Sequence, residues 1–325
     1  MKLLRRQFLS LAAGAVALPA VSRIARAQAY PTKPLRLIIG FPPGSASDIL
    51  ARIISQWLTE RLGQPVIVEA KPGAGGNISV QTALAAPPDG YTLVQIAASN
   101  AVNATLFDSL PFDLLRDLAP VAGLATFPFV MNVNPALPVK TVAEFIALAK
   151  ASPGKISMAS FGSGSTSHLA GELFKTMTGV SMTHVPYRGS PPAHVDLMSG
   201  QVQVMFDTLV ASLAHIRSGS IRALAVASKS RLDDLPDVPT VADTVAGFEV
   251  AGWNGFAARR GVSPQIVERL NSEVNAGLAD PTVKARIAQA SALPLLLSPE
   301  QFGAYMSAET EKWGKVIRAA NIKPE

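Results

Sequence analysis

Two short stretches hold most of the residue types that could do chemistry. In "FPPGSASDIL", Phe41, Pro43, Gly44, Ser45 and Asp48 follow an apolar run; in "SFGSGSTSHLA", Gly162, Ser163, Gly164, Ser165, Thr166 and His168 do the same. Small residues that lead straight into a helical pattern present backbone N–H groups at a helix start, where the positive end of the helix dipole favours an anion. That chemistry is capture, with no bond made or broken. The competing chemistry is hydrolysis by Ser163 or Ser165 with His168, which needs a base within hydrogen-bond reach and an organising third group. The sequence supplies no convincing third member.

Other chemistries fail on the letters. No G-x-x-x-x-G-K-[ST] run is present, so a P-loop is excluded. "KPGAGGNI" has Ile78 where a dinucleotide fingerprint needs Gly or Ala, and it reads as a tight turn. "ASFGSGSTSH" lacks the G-x-S-x-G of a hydrolase elbow. His168, His184, His194 and His215 have no metal-ligand spacing, so neither a metal nor a cofactor is expected. Asp207, at the end of the apolar run "QVQVMF", could face a cleft. Asp48 stands at S-x-x-D spacing from Ser45 and is either a helix cap or a part of the ligand loop.

The elements that must position these residues alternate short β-like runs with longer helical ones, the pattern of an α/β fold. Strands are predicted over 35–40, 65–69, 92–96, 127–133, 156–160, 182–185, 202–206, 223–227 and 256–258. Ile49, Ile53 and Trp57, with Leu50, Ile54 and Leu58, share one helical face ending before Gly63; Leu169, Phe174, Leu173 and Met177 do so before Gly179. After residue 260 only helices are predicted, starting at Pro264, Pro281 and Pro299, since proline suits the first helical turn.

The segments from Leu35 to Gly73 and from Lys155 to Gly189 share one order: strand, Gly/Ser loop, helix, glycine stop, strand, then a basic residue shortly before a glycine. The likeness is one of pattern and not of identity, and it puts the two loops at equivalent places in two lobes. Ligands of open α/β sheets bind beyond the carboxyl ends of strands, so the loops would face each other across a cleft. Lobe one is expected over 28–130 and 253–325, lobe two over 131–252.

Residues 1–27 read as an export signal: Arg5-Arg6 precede an Ala/Leu/Val run and an Ala25-Arg26-Ala27 end, which is the twin-arginine pattern, with an ordinary Sec signal the alternative. The formal charge of +6 comes from 29 Lys and Arg against 23 Asp and Glu, and five of the basic residues lie in that signal. The mature chain is left near +1, which gives no support to nucleic-acid binding. The absence of cysteine excludes disulfides, thiolate metal sites and a lipid-modified cysteine tether. The expected product is free in a periplasm.

Stretches spread along the whole mature chain resemble the Bug family, the extracytoplasmic solute receptors of tripartite tricarboxylate transporters. They include "FPPGSASDILAR", "RLGQPVIVEAKPGAGGNI", "PPDGYTL", "SHLAGELFK", "HVPYRGSPPA", "LMSGQVQVMFD", "LPDVPTVAD" and "KWGKVIRAANI". The resemblance implies a type II periplasmic-binding-protein fold whose two lobes close on a small aliphatic or aromatic carboxylate, integral-membrane permease subunits as partners, a monomer, and no enzymatic activity. It further implies that 41–48 and 162–168 act as two pincers, with Asn100 and Asp207 near the pocket. Ser45 replaces a glycine common in the family, and "AASNAVN" leaves Ser99, Asn100 and Asn103 as polar candidates beyond the third strand. A sensor that feeds a two-component system stays open beside a transport receptor.

Overall fold

The apolar run Leu35–Ile39 (β1) is buried at all but Arg36, so it needs cover on both faces. It obtains this at the centre of a parallel trio with Val66–Ala70 (β2) and Thr92–Ala97 (β3). The computed structural model describes residues 30–107, 109–319 and 322–323, so the export signal lies outside the described residues. Lys33–Glu325 is one compact unit.

Two long strands complete this sheet. Ala251–Arg259 (β9) lies antiparallel between β3 and Leu118–Val133 (β4), which gives the order β2-β1-β3-β9-β4. A second group repeats the arrangement with Ile156–Ser160 (β5), Met182–Pro186 (β6), Val204–Thr208 (β7) and Arg222–Val226 (β8). Its order is β6-β5-β7-β4-β8, with the far end of β4 as the antiparallel member. In both groups the antiparallel strand inserted between the third and last members arrives from elsewhere in the chain, so β4 serves both.

The helices follow from local signals. Ala46–Leu62 (α1), Asn77–Leu84 (α2) and Ala98–Leu106 (α3) belong to the first group, and Val142–Ala151 (α4), Thr166–Thr178 (α5), Ser190–Ser199 (α6) and Leu209–Arg217 (α7) to the second. Pro264–Ala279 (α8), Pro281–Gln289 (α9) and Pro299–Ala319 (α10) each begin at the expected proline. Gly63 and Gly179 end α1 and α5 in the left-handed region, at φ 67° and 71°.

The duplication seen in the sequence is geometric. β1 pairs with β2 from Leu35↔Val66 to Ile39↔Ala70, and β5 with β6 from Ile156↔Met182 to Ser160↔Pro186. The first copy is longer by one residue in the loop (40–45 against 161–165) and by four in the helix, 17 against 13, about one turn. Lys71 N–H then donates to Ile39 O (2.8 Å), as Tyr187 N–H does to Ser160 O (2.9 Å).

Three differences from the sequence expectation have physical causes. β4 begins at Leu118, well before 127, because Pro120 and Gly123 read as breakers yet sit at register shifts that let the strand bend. β9 spans nine residues where three were predicted, because Gly252 and Gly255 hide it: a Cβ there would strike the Phe127 and Phe302 rings. A short strand, Leu293–Pro294 (β10), interrupts the final helices and pairs with β4.

Phe302 on α10 is fully buried, edge-on to Trp253 with ring centroids 6.0 Å apart, and occupies the space that Gly255 leaves. Phe302→Ala is expected to cost about 3–5 kcal/mol in denaturant unfolding, and a loss below about 1 kcal/mol would contradict this packing.

Candidate functional site

The two Gly/Ser loops have the same hydrogen-bond plan. Gly44 and Gly164 adopt φ of 82° and 74°, which the serines after them could not do at low cost. Ser45 and Ser165 are the helix N-caps, with almost equal backbone angles, and their hydroxyls accept from the N–H of Asp48 (3.3 Å) and His168 (3.2 Å). The residue at that third helical position then reaches back to the glycine. Gly44 N–H donates to Asp48 Oδ2 (3.0 Å), and Gly164 N–H donates to His168 Nδ1 (3.3 Å). Asp48 thus acts on the loop one residue before the cap, and Arg52 holds its other oxygen at 2.8 Å. Ser45 Oγ also donates to Pro42 O (2.7 Å), so this serine fastens the loop to the helix it starts.

Beyond these loops lies an inner cavity of about 30 Å³, enough for little more than a water molecule. Five helix starts converge on it: Ser45, Ala46 and Ser47 of α1, Ala97 to Ser99 of α3, Thr166 of α5, Ser190 of α6 and Thr208, the cap of α7. Phe127 and Phe129 of β4, Phe41 and Phe161 of the loops, and Gly252, Trp253 and Asn254 of β9 form the rest of its wall. Among the described residues, no charged side chain lines it. The field inside therefore comes from helix ends, whose partial positive charges sum without a cation.

The hydroxyls are already oriented. Ser99 Oγ accepts from Thr166 N–H (3.2 Å) and meets Thr166 Oγ1 at 3.3 Å, tying α3 to α5 across the two strand groups. Ser190 Oγ donates to Asp207 Oδ1 (2.7 Å), which also accepts from Thr208 N–H (2.8 Å). His194 Nε2 is 2.6 Å from Asp207 Oδ2, and both groups are buried. The His215 ring packs against His194, and burial, aided by His194, lowers its pKa from the ordinary value.

Of the residues singled out in the sequence, Phe41, Ser45, Ser99 and Thr166 line the inner cavity. Gly162 and Ser163 line an outer cavity of about 490 Å³ with Tyr187 and Arg188, on the other side of the Phe41–Phe161 pair. The Tyr187 hydroxyl donates to Asp196 (2.6 Å), and burial with this bond pushes its pKa up to about 12, so it stays neutral. Pro43, Gly44, Asp48, Gly164, Ser165 and His168 shape the loops from behind. Asp207 stands behind Ser190 and Thr208 instead of facing the cavity. Asn100 Oδ1 accepts from Ala97 N–H (2.9 Å), while Asn103 Nδ2 reaches Asn77 Oδ1 (3.2 Å).

Sequence reasoning missed Ser190, Thr208, Phe161, Phe127, Phe129, Trp253 and Asn254. Ser190 and Thr208 carried a usable signal, a hydroxyl residue at a strand-to-helix junction, as Ser45 and Ser165 do. Phe127 and Phe129 fell inside a predicted strand, but nothing local told which of its faces turns to the cavity, and Trp253 and Asn254 lay just before one, hidden by Gly252 and Gly255.

The loops meet across the cavity. Phe41 and Phe161 touch edge to face at 5.4 Å, and a Cβ on Gly189 would run into Pro42. A Cβ on Gly75 would lie 2.7 Å from Asn103 Nδ2 and 3.1 Å from the Gly164 carbonyl.

Two like-ordered sheets with a cleft at the helix starts define a periplasmic-binding-protein fold of type II. The chain belongs to the tripartite tricarboxylate transporter family receptors, the description of the family that residues 50–322 match. It is similar to protein BugT of Bordetella pertussis, 37% identical over 300 residues that cover 91% of this chain and 92% of that protein. Among solved structures it is similar to Rpa4515 of R. palustris with adipate: TM-score 0.88, 36% identity, 91% of this chain and 100% of that one. MatC from Rhodopseudomonas palustris with bound malate gives TM-score 0.84 and 30% identity over 89% and 100%. The protein is a solute-binding receptor of this Bug type.

Gly63 and Gly164 separate backbone strain from crowding. Both have left-handed φ, but a Cβ on Gly63 meets nothing, whereas one on Gly164 strikes Asn103 Oδ1 and comes 2.9 Å from Phe107. Gly63→Ala is expected to lose about 1–2 kcal/mol. Gly164→Ala should lose clearly more in the same unfolding titration, and equal losses would contradict the close approach.

Proposed function

We propose that this receptor works in a periplasm, closes on a small carboxylate and delivers it to the permease subunits of a tripartite tricarboxylate transporter, without catalysis. The observation that carries the proposal is the convergence of five helix starts on a cavity that, among the described residues, has no charged side chain in its wall. Such a site favours a carboxylate group, held by backbone N–H groups and hydroxyls. Adipate in one similar structure and malate in another support the same ligand class.

In this proposal residues 28–130 and 253–325 form one lobe and 131–252 the other. The chain passes between them along β4 and again at the start of β9. Phe41, Ser45, Ser99, Thr166, Ser190, Thr208 and Asn254 contact the ligand; Pro43, Gly44, Asp48, Asn100, Gly162, Ser163, Gly164, Ser165, His168 and Asp207 set the shape and polarity around it. Ligand binding draws the lobes together because the bound anion touches helix starts from both, so it favours the closed state over the open one.

Hydrolysis finds little support here. Ser165 is buried and caps α5, and the His168 ring is buried, stacked on His184 with centroids 4.1 Å apart. Neither residue lines the inner cavity.

A bound carboxylate at about a hundred times its Kd is expected to stabilise the mature protein by about 2.7 kcal/mol, seen as a raised melting temperature. A well-folded preparation that shows no rise with any member of a broad panel of mono-, di- and tricarboxylates would overturn the proposal.

A further inference from the structure

The inner cavity holds little more than a water molecule, and the Phe41–Phe161 contact at 5.4 Å stands between it and the outer cavity of about 490 Å³. A solute therefore reaches the helix starts only when that contact parts, and the outer cavity is where it waits beforehand. A space of this size takes a small carboxylate. Its wall comes from both halves of the duplication: Gly40 and Phe41 with the turn 72–75 on one side, and 161–163 with 186–188 on the other.

The two cavities differ in how their polar groups are used. In the inner wall the hydroxyls of Ser45, Ser99, Ser190 and Thr208 are all engaged within the protein. In the outer wall Arg188 is exposed and, among the described residues, has neither an ion pair nor a side-chain hydrogen bond; the Ser163 hydroxyl has no partner either. Arg188 is also the one charged side chain in that wall among the described residues. Lys71, exposed as well, directly precedes Pro72 of the opposite side. In the duplicated register Lys71 matches Tyr187 and Pro72 matches Arg188, so each half sets one cation in the same two-residue exit from its outer strand. The acids next to them in the chain already have partners. Glu69 is held by Arg36 at 2.7 Å, and Asp196 accepts from the Tyr187 hydroxyl at 2.6 Å.

The mature chain, near +1, attracts an anion from a distance only weakly. Collection then falls to local charge, which acts over about 10 Å at 0.1 M salt.

We propose that the outer cavity is an anion vestibule: Arg188 and the Ser163 hydroxyl in its wall, with Lys71 at the rim, take the first contact with a carboxylate, which passes to the helix starts when Phe41 and Phe161 separate. This rests on the carboxylate-receptor function proposed above. Arg188 in this role sets rates and not final affinity, because the resident site lies beyond the ring pair. Its removal raises the barrier to entry and to exit together.

The test is stopped-flow tryptophan fluorescence of the mature protein, read through Trp253 in the inner wall, with hexanoate as a monoanion and adipate and malate as dianions. At about 10 mM ionic strength, Arg188→Gln is expected to slow association of hexanoate about threefold and of the dianions by about the square of that, because the attraction scales with ligand charge. Dissociation should slow by a similar factor and Kd should stay within about twofold. The effect should shrink at about 0.3 M salt. Arg188→Lys keeps the charge and should restore the parent rates, as a planar two-pronged clamp would not. Lys284→Gln on α9, outside both cavities, should leave every rate unchanged.

A weaker Kd through faster dissociation, with association unchanged, would make Arg188 a holder of the bound solute; that overturns the vestibule and leaves the receptor standing. Unchanged rates in Arg188→Gln, slow rates in Arg188→Lys, or equal slowing in Lys284→Gln would each overturn it too. If none of the three acids binds the well-folded parent, the vestibule and the carboxylate receptor fall together.

Discussion

The structure depends on one constraint: a helix start that is buried must have its backbone N–H groups satisfied. Five helices begin around one small cavity, and the chain supplies partners for part of the demand. Ser45, Ser165 and Thr208 cap from their own helices, Asp48 and His168 reach back to glycines, Asn100 takes the Ala97 N–H, and Asp207 takes that of Thr208. These bonds fix the loops in one geometry before any ligand arrives. They also leave the positive ends of the helix dipoles aimed at a space whose wall, among the described residues, has no charged side chain, which is the basis of the anion site proposed above.

The duplicated sheet explains why so many helix starts meet. In an order of two, one, three, inserted strand, four, helix starts follow the carboxyl ends of the parallel strands, and two such sheets set edge to edge through β4 bring both sets together. The copies need not match in length. A helix longer by about one turn and a loop longer by one residue leave the pairing of β1 with β2 and of β5 with β6 in the same relation. Contact between the copies is made by small residues. Gly75 against Gly164 and Gly189 against Pro42 permit a backbone approach that any side chain would prevent.

Much of this was legible in the sequence, and the reasons are local. A capping serine, a third-position acid or histidine and a terminal glycine act within a few residues, so the ends of α1 and α5 could be placed from letters alone. Apolar runs that must be buried on both faces marked β1, β3 and β5 equally well. Ser45, unexplained as a departure from the family's glycine, turns out to be the counterpart of Ser165. The strands β4 and β9 were shortened in expectation because their glycines and prolines serve tertiary ends, bending one strand and making room for rings over the other.

By itself, then, the sequence determined the α/β class, the caps and the duplicated loops, and it pointed to an anion as the ligand. Only the tertiary structure decided what fills the walls of that site. Phe41 and Phe161 are 120 positions apart, and Asn254 meets Ala97 only through strand pairing. Hydrogen bonds of a helix cap are set by neighbours in the chain. The lining of a cavity is set by which faces of distant strands the packing turns inward, and no local pattern carries that information.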